Sequence, residues 1–336
     1  MAQRAGGARP SRFRTRILRL LGAIPVLAVL VSACGDTDET RRADAEAVRA
    51  EVTTLPGVTS AEVTYTSGNG RVLDTGLTFR ADVTESDVVG AALRHQEARA
   101  RSSLDGVHSR LALRVPRAGG VRTMTVSGFR FPPAETVAAE ARRWYALAAA
   151  TPTVSVGVEV DRPTAIDVAG RPGELDLAPA YRRIAALPQV DEPAANWTFA
   201  APSVEGGRPN LILRSTAGLP APELVDAWED QLAAARPYLD AEGSIELLVL
   251  PDVLVLVADL RDRAAAAEVP ERSRVWPAVT GQLRALNATG RPFSYKLELP
   301  FRVTEVGSDT CPADDGPWAT AIARCHRSLP GNHAPC

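Results

Sequence analysis

Residues 134–161 read AETVAAEARRWYALAAATPTVSVGVEVD, and this stretch decides the fold class. In its first part Val137, Ala141, Trp144, Tyr145 and Ala148 recur at i, i+4, i+7, i+8 and i+11. That spacing lays one apolar stripe along a helix over 134–150. In its second part Val154, Val156, Val158 and Val160 alternate with Ser155, Gly157 and Glu159. A period of two predicts a strand over 153–161 that buries one face and leaves the other to solvent. An amphipathic helix running into a half-buried strand is the element pair of a mixed α and β domain, and the rest of the chain follows it outward.

Upstream, a helix is predicted near residues 40–54, with Ala45, Val48, Val52 and Leu55 at helical spacing, stopped at Leu55-Pro56-Gly57-Val58. Strands near 58–66 and 71–83, a helix at 86–101 and strands at 107–116 and 120–130 follow. Downstream, Arg162–Leu177 (RPTAIDVAGRPGELDL) is rich in proline, glycine and acid and reads as a linker. A second helix near 178–187 then stops at Leu187-Pro188-Gln189-Val190, 132 residues after the first such stop. Strands near 190–200 and 209–215 precede a helix at 221–239 with Leu224, Trp228, Leu232, Ala235 and Leu239 on its stripe. Strands near 243–250 and 252–260, a helix at 272–288 and a strand at 293–305 complete the pattern. From the second strand of each half onward the order is β-α-β-β-α-β, which resembles the split βαβ order of ferredoxin-like folds. The expectation is an α+β chain of two similar halves, 46–161 and 178–306, each a helix–strand extension plus a ferredoxin-like unit.

At 336 residues, with 45% apolar and 23% charged side chains, the composition excludes a disordered or fibrous protein. Lys296 is the only lysine, so Schiff-base or phosphate-loop chemistry would have to use that residue. Arg4, Arg9, Arg12, Arg14, Arg16 and Arg19 precede an uninterrupted apolar run from Leu20 to Val31, and no acid occurs before Asp36. A basic segment followed by a short apolar one reads as a secretory signal over 1–33. Twelve residues span only about 18 Å as a helix, short of a bilayer core of about 30 Å.

The run ends Val31-Ser32-Ala33-Cys34, which resembles the lipobox of bacterial lipoproteins. The resemblance implies cleavage between Ala33 and Cys34 and a diacylglycerol, with palmitate-class acyl chains, on the Cys34 thiol. It places the chain on the extracytoplasmic face of a bacterial cell membrane, with 34–45 as a polar tether. Removing six arginines from 38 basic residues leaves 32 against 40 acids, a formal net charge of −8. An acidic body argues against nucleic acid as a partner, because phosphate contacts need clustered cations. The membrane would be held by acyl chains rather than charge.

Residues 40–116 also resemble the BON domain of bacterial envelope proteins, an αββαβ module. Leu73-Asp74-Thr75-Gly76-Leu77 is similar to its strand-and-glycine segment, and Leu104-Asp105-Gly106-Val107 to its closing glycine–valine.

No serine sits in a G-x-S-x-G elbow, and no glycine-rich phosphate loop opens a helix. His95, in an arginine-rich helix, is expected at a solvated edge, and His108 is expected to point outward opposite Val107, Leu111 and Leu113. The tail over 307–336 carries Cys311, Cys325 and Cys336, with Cys-x13-Cys-x10-Cys spacing that lacks the close pairs of a zinc site. The expectation is no metal and no cofactor. Once lipid uses Cys34, three cysteines remain in an oxidising compartment. A Cys311–Cys325 disulfide, closing a loop worth about 3 kcal/mol, leaves Cys336 as a free thiol. A Cys325–Cys336 pairing is the open alternative. The functional expectation is a non-enzymatic envelope lipoprotein that binds or scaffolds an envelope protein, glycan or apolar ligand. The alternative is an envelope hydrolase whose catalytic groups come from distant residues.

Overall fold

The computed structural model describes residues 36–68, 70–117, 120–151, 154–159, 162–169, 178–188, 195–201, 210–239, 243–260, 262–309 and 316–330. Helix α1 (Asp36–Thr53) leads into the strands β1 (Val58–Thr66) and β2 (Val72–Phe79), and α2 (Glu85–Ala100) into β3 (His108–Arg117) and β4 (Gly120–Gly128). Helix α3 (Ala134–Ala150) precedes β5 (Val154–Glu159) and β6 (Ala165–Ala169), and α4 (Ala178–Ala185) precedes β7 (Asn196–Ala201) and β8 (Asn210–Ser215). Helix α5 (Pro222–Ala235) precedes β9 (Ser244–Val249) and β10 (Leu254–Asp259). The short α6 (Arg263–Ala267) and then α7 (Trp276–Ala288) precede β11 (Phe293–Leu299) and β12 (Arg302–Gly307), and α8 (Pro317–Arg327) follows.

These strands form one mixed sheet, ordered β1 to β12 as in the chain. Each hairpin pairs antiparallel, as β3 does with β4, and the helical connections between hairpins return the chain to a parallel neighbour, as from β2 to β3. The recurring unit is therefore helix–strand–strand. Its core is one layer. A buried row crosses the sheet through Leu77, Leu113, Met124, Val156, Ile166, Trp197, Ser215, Val249, Leu254 and Phe293, each the register partner of the next. Trp144 of α3 and Trp228 of α5 are buried against this layer.

The other face carries the intervening residues. Its central row is Glu62, Gly76, Ala112, Thr125, Gly157, Ala165 and Asn196. Gly76 leaves room there for the Arg114 guanidinium, which a Cβ would approach to 3.1 Å. Towards the last strands the same face bears ion pairs, Arg214 with Glu246 at 2.7 Å and Lys296 with Glu298 at 2.5 Å. Apolar-in and polar-out alternation is what a sheet covered on one side requires.

The mixed α and β class matches the expectation, but the arrangement does not. In a split βαβ unit another strand separates the two that flank a helix; here β2 and β3, or β4 and β5, pair directly. Neither half is ferredoxin-like. The expected linker contains β6, paired with β5 on one side and β7 on the other, so the sheet runs through it without a break. Ile166 and Val168 supply the buried side of that strand. The expected tether is corrected as well: α1 begins at Asp36, and Ala45 is already 4% exposed in the core. The expected strand over 293–305 is a tight hairpin, β11 turning at Pro300-Phe301 into β12. In the tail, Trp318 and Ile322 of α8 join the core.

Candidate functional site

The first described helix starts at the end of the sheet where β2 and β3 begin and β4 stops. In the first turn of α1, Asp38 accepts a hydrogen bond from the Tyr65 hydroxyl at 2.9 Å and lies 3.5 Å from Arg71. Arg71 precedes Val72, whose register partner is His108. The His108 ring stands edge-on to Phe129 with centroids 4.9 Å apart. Asp44 accepts from the Ser103 backbone at 2.7 Å, which ties α1 to the loop after α2; the Ser103 side chain, and then its backbone N–H, hold the Asp44 carboxyl below the usual carboxylate range.

Helix α2 organises this end. A reciprocal capping box between Thr84 and Asp87 fixes its start. Its inward stripe runs Val88, Ala92, His95 and Arg99, so two basic side chains enter the apolar layer. His95 is fully buried, with Nε2 3.0 Å from the Thr75 hydroxyl and Nδ1 without a partner among the described residues. Burial, reinforced by the neighbouring Arg99 charge, pulls its pKa down to about 4. It is a neutral imidazole enclosed by protein.

Arg99 is 3% exposed. It donates to the Ser109 hydroxyl at 2.8 Å and to the carbonyls of Val107 and Phe129, both at 3.2 Å. Its guanidinium carbon lies 5.4 Å from the Phe131 centroid, and Asp105 stands 4.0 Å away. Burial lowers its pKa, and Asp105 opposes that shift. A single planar cation thus satisfies the backbone of the loops on both sides of β3 and β4, a geometry that suits the five donors of arginine. One turn earlier, Gln96 donates to Pro132 O at 2.8 Å. The segment 129–132 is therefore pinned to α2. Phe131 turns inward, while Phe129 is left 67% exposed beside exposed Arg130.

Other buried polar groups serve packing. Glu140 and Arg143 of α3 pair at 2.6 Å, and the Thr164 hydroxyl approaches Glu140 at 3.5 Å. The Tyr295 hydroxyl donates to Gln282 at 2.8 Å beneath α7, and burial raises its pKa. In α8 the His326 ring meets Phe293 at 4.8 Å.

The structure places the sequence-derived candidates unevenly. Ala33, Cys34, Cys311 and Cys336 lie outside the described residues, and with them the cleavage site and the Cys311–Cys325 pairing. Cys325 sits half-buried in α8, where burial pushes its thiol up, and has no disulfide partner among the described residues. His95, expected at a solvated edge, is instead at the centre of the α2 contact. His108 is on the face opposite the described helices, as expected, half-buried beneath Phe129. Arg99, Thr75, Ser109 and Phe129 went unmarked in the sequence. The signal for Arg99, and for the burial of His95, was present: residues 88, 92, 95 and 99 repeat the spacing of 137, 141, 144 and 148, so His95 and Arg99 fall at the buried positions held by Trp144 and Ala148 in α3.

Among the described residues no helix is long and apolar enough to cross a membrane, and no group of three or more metal-ligating side chains converges. No family model, no curated protein and no solved structure matches the chain.

Proposed function

We propose that this chain is a non-enzymatic cell-envelope lipoprotein, a binding or scaffolding module anchored to the extracytoplasmic face of the membrane through Cys34. The observation that carries the reading is the order of its N-terminus: six arginines, an apolar run to Val31, then Val31-Ser32-Ala33-Cys34, with helix α1 starting at Asp36. The polar groups gathered under α2 serve the fold, because His95 is enclosed against Thr75 and Arg99 gives its donors to Ser109 and backbone carbonyls. The helix–strand–strand–helix–strand order over residues 36–117 supports the likeness of 40–116 to a BON module. The face of the sheet opposite the described helices, small and hydroxyl-bearing in its middle and charged towards β12, is the broad surface available to an envelope protein, glycan or apolar ligand.

The test is fractionation of the full chain expressed in a bacterium. Wild type should enter the membrane and the detergent phase as a processed form. Cys34→Ala should accumulate as a precursor retaining residues 1–33. A wild-type protein found in the aqueous phase, or a variant processed like wild type, would overturn the anchor.

A further inference from the structure

We propose that Phe129 is a second membrane contact, an aromatic side chain held ready to enter the lipid interface at the end of the sheet where the chain is anchored. The proposal rests on the lipoprotein reading for its position and on the structure for its geometry.

Three observations converge. First, Phe129 is 67% exposed, yet its backbone is fixed: buried Arg99 holds its carbonyl, Gln96 holds Pro132, and the His108 ring supports one edge of its side chain. An exposed aromatic on a pinned loop contributes little to folding, and its presentation is preorganised for a partner. Second, the loop lies at the entry end. Asp38 contacts Arg71, Arg71 adjoins the start of β2, and Val72 pairs with His108 beneath Phe129. Phe129 follows β4, two strands over from β2, a lateral step of about 10 Å. Cys34 precedes α1 by two residues, and covalent reach confines it to within about 7 Å of Asp36. A lipid on Cys34 would therefore bring this end of the sheet, rather than a distant one, to the bilayer. Third, the exposed neighbour Arg130 lets an apolar ring enter the interface while its own guanidinium meets phosphate, a pairing suited to the headgroup level.

Phe301 is the internal control. It is fully exposed at the turn after β11. The strand pairings give β11 the direction of β3, so its end is remote from the edge where β3 begins. Eight strand spacings also separate β4 from β12, about 38 Å. Exposure alone does not distinguish the two phenylalanines; position does.

The experiment places p-benzoylphenylalanine at 129 or at 301 in the full chain, expressed in a bacterium that processes lipoproteins. Membranes are irradiated, and tryptic peptides 123–130 and 297–302 are searched for phospholipid adducts, alongside the mass of the N-terminal peptide. Lipid adducts at 129 should exceed those at 301 by about ten-fold or more, as contact with acyl chains at only one of the two sites requires. Equal yields, or cross-links from 129 to protein alone, overturn the docking. A lipidated Cys34 without lipid at 129 overturns the docking and leaves the anchor. An unmodified Cys34 with lipid at 129 overturns the anchor and leaves the docking, and the absence of both overturns both.

Discussion

His95 and Thr75 meet 3.0 Å apart inside a layer that is otherwise apolar, the imidazole from α2 and the hydroxyl from β2. Protonating that imidazole would place a second cation beside Arg99 in a site without solvent exposure. Burial, and then Arg99, therefore depress its pKa from 6.5 to about 4. Between those values the unfolded chain binds more protons than the folded one, so stability rises with pH through this window and is fully present above 6.5. Acidification from 6.5 to 4 should remove about 3 kcal/mol at this site. Urea unfolding at pH 7 and pH 4.5 checks it, with His95→Gln as the reference that keeps a polar partner for Thr75. The carboxyls of Asp44, Asp87 and Asp262 have pKa values lowered from 3.8, so their loss of stability falls at more acidic pH and is common to both proteins. Identical pH dependence in the two would show that His95 does not titrate as described.

Arg99→Met should cost about 3 kcal/mol, because it keeps most of the buried stem but leaves the Phe129 carbonyl and the Ser109 hydroxyl without their donor and the Val107 carbonyl with the Ser109 hydroxyl alone. Arg99→Lys should recover only a minor part, since one compact ammonium cannot span three acceptors arranged around a planar fork. Denaturant midpoints measure both. Full recovery by lysine would reduce the role of Arg99 to charge alone.

Phe301 has φ +66°, the one positive value outside glycine among the described residues, at the second position of the Pro300-Phe301 turn. That position demands the left-handed region, which asparagine adopts with less strain than a bulky aromatic. Phe301→Asn should therefore stabilise the chain by about 0.5–1 kcal/mol, because the fully exposed ring gives up no packing. A loss of stability in the melting curve would mean that the ring is engaged.

Local structure was more legible than its assembly. The helix over 134–150 and the strand beginning β5 follow directly from 3.6- and 2-residue periods, because a one-sided core imposes those periods on whatever faces it. The order of elements did not reveal which strands are neighbours. A β-α-β sequence is compatible with a split pairing and with a direct one, and whether the sheet continues between the halves turned on β6. Its five residues, Ala165–Ala169, bury only Ile166 and Val168 and lie among prolines and glycines, so the segment read as a linker. The hairpin at Pro300 was hidden for a related reason. Inward positions at Leu297 and Leu299 are followed after a two-residue turn by Thr304 and Val306, and apolar Phe301 and Val303 prolonged the alternation although both are exposed.

The site was partly concealed by charge. Arginine on a helix ordinarily marks the solvated face, and residues 94–101 carry three of them. Position on the stripe, rather than residue type, separates inward Arg99 from outward Arg94 and Arg101. The hydrogen-bond acceptors that make the burial of Arg99 tolerable come from loops on both sides of β3 and β4, which no local pattern brings together.

The central claim is that the mature chain begins at Cys34 and carries lipid there. Mass spectrometry of the N-terminal peptide of the membrane-purified protein tests it most directly. The account requires a peptide starting at Cys34 whose mass includes a diacylglyceryl group on the thiol. A mature protein with an unmodified Cys34, or one retaining residues 1–33, would contradict it.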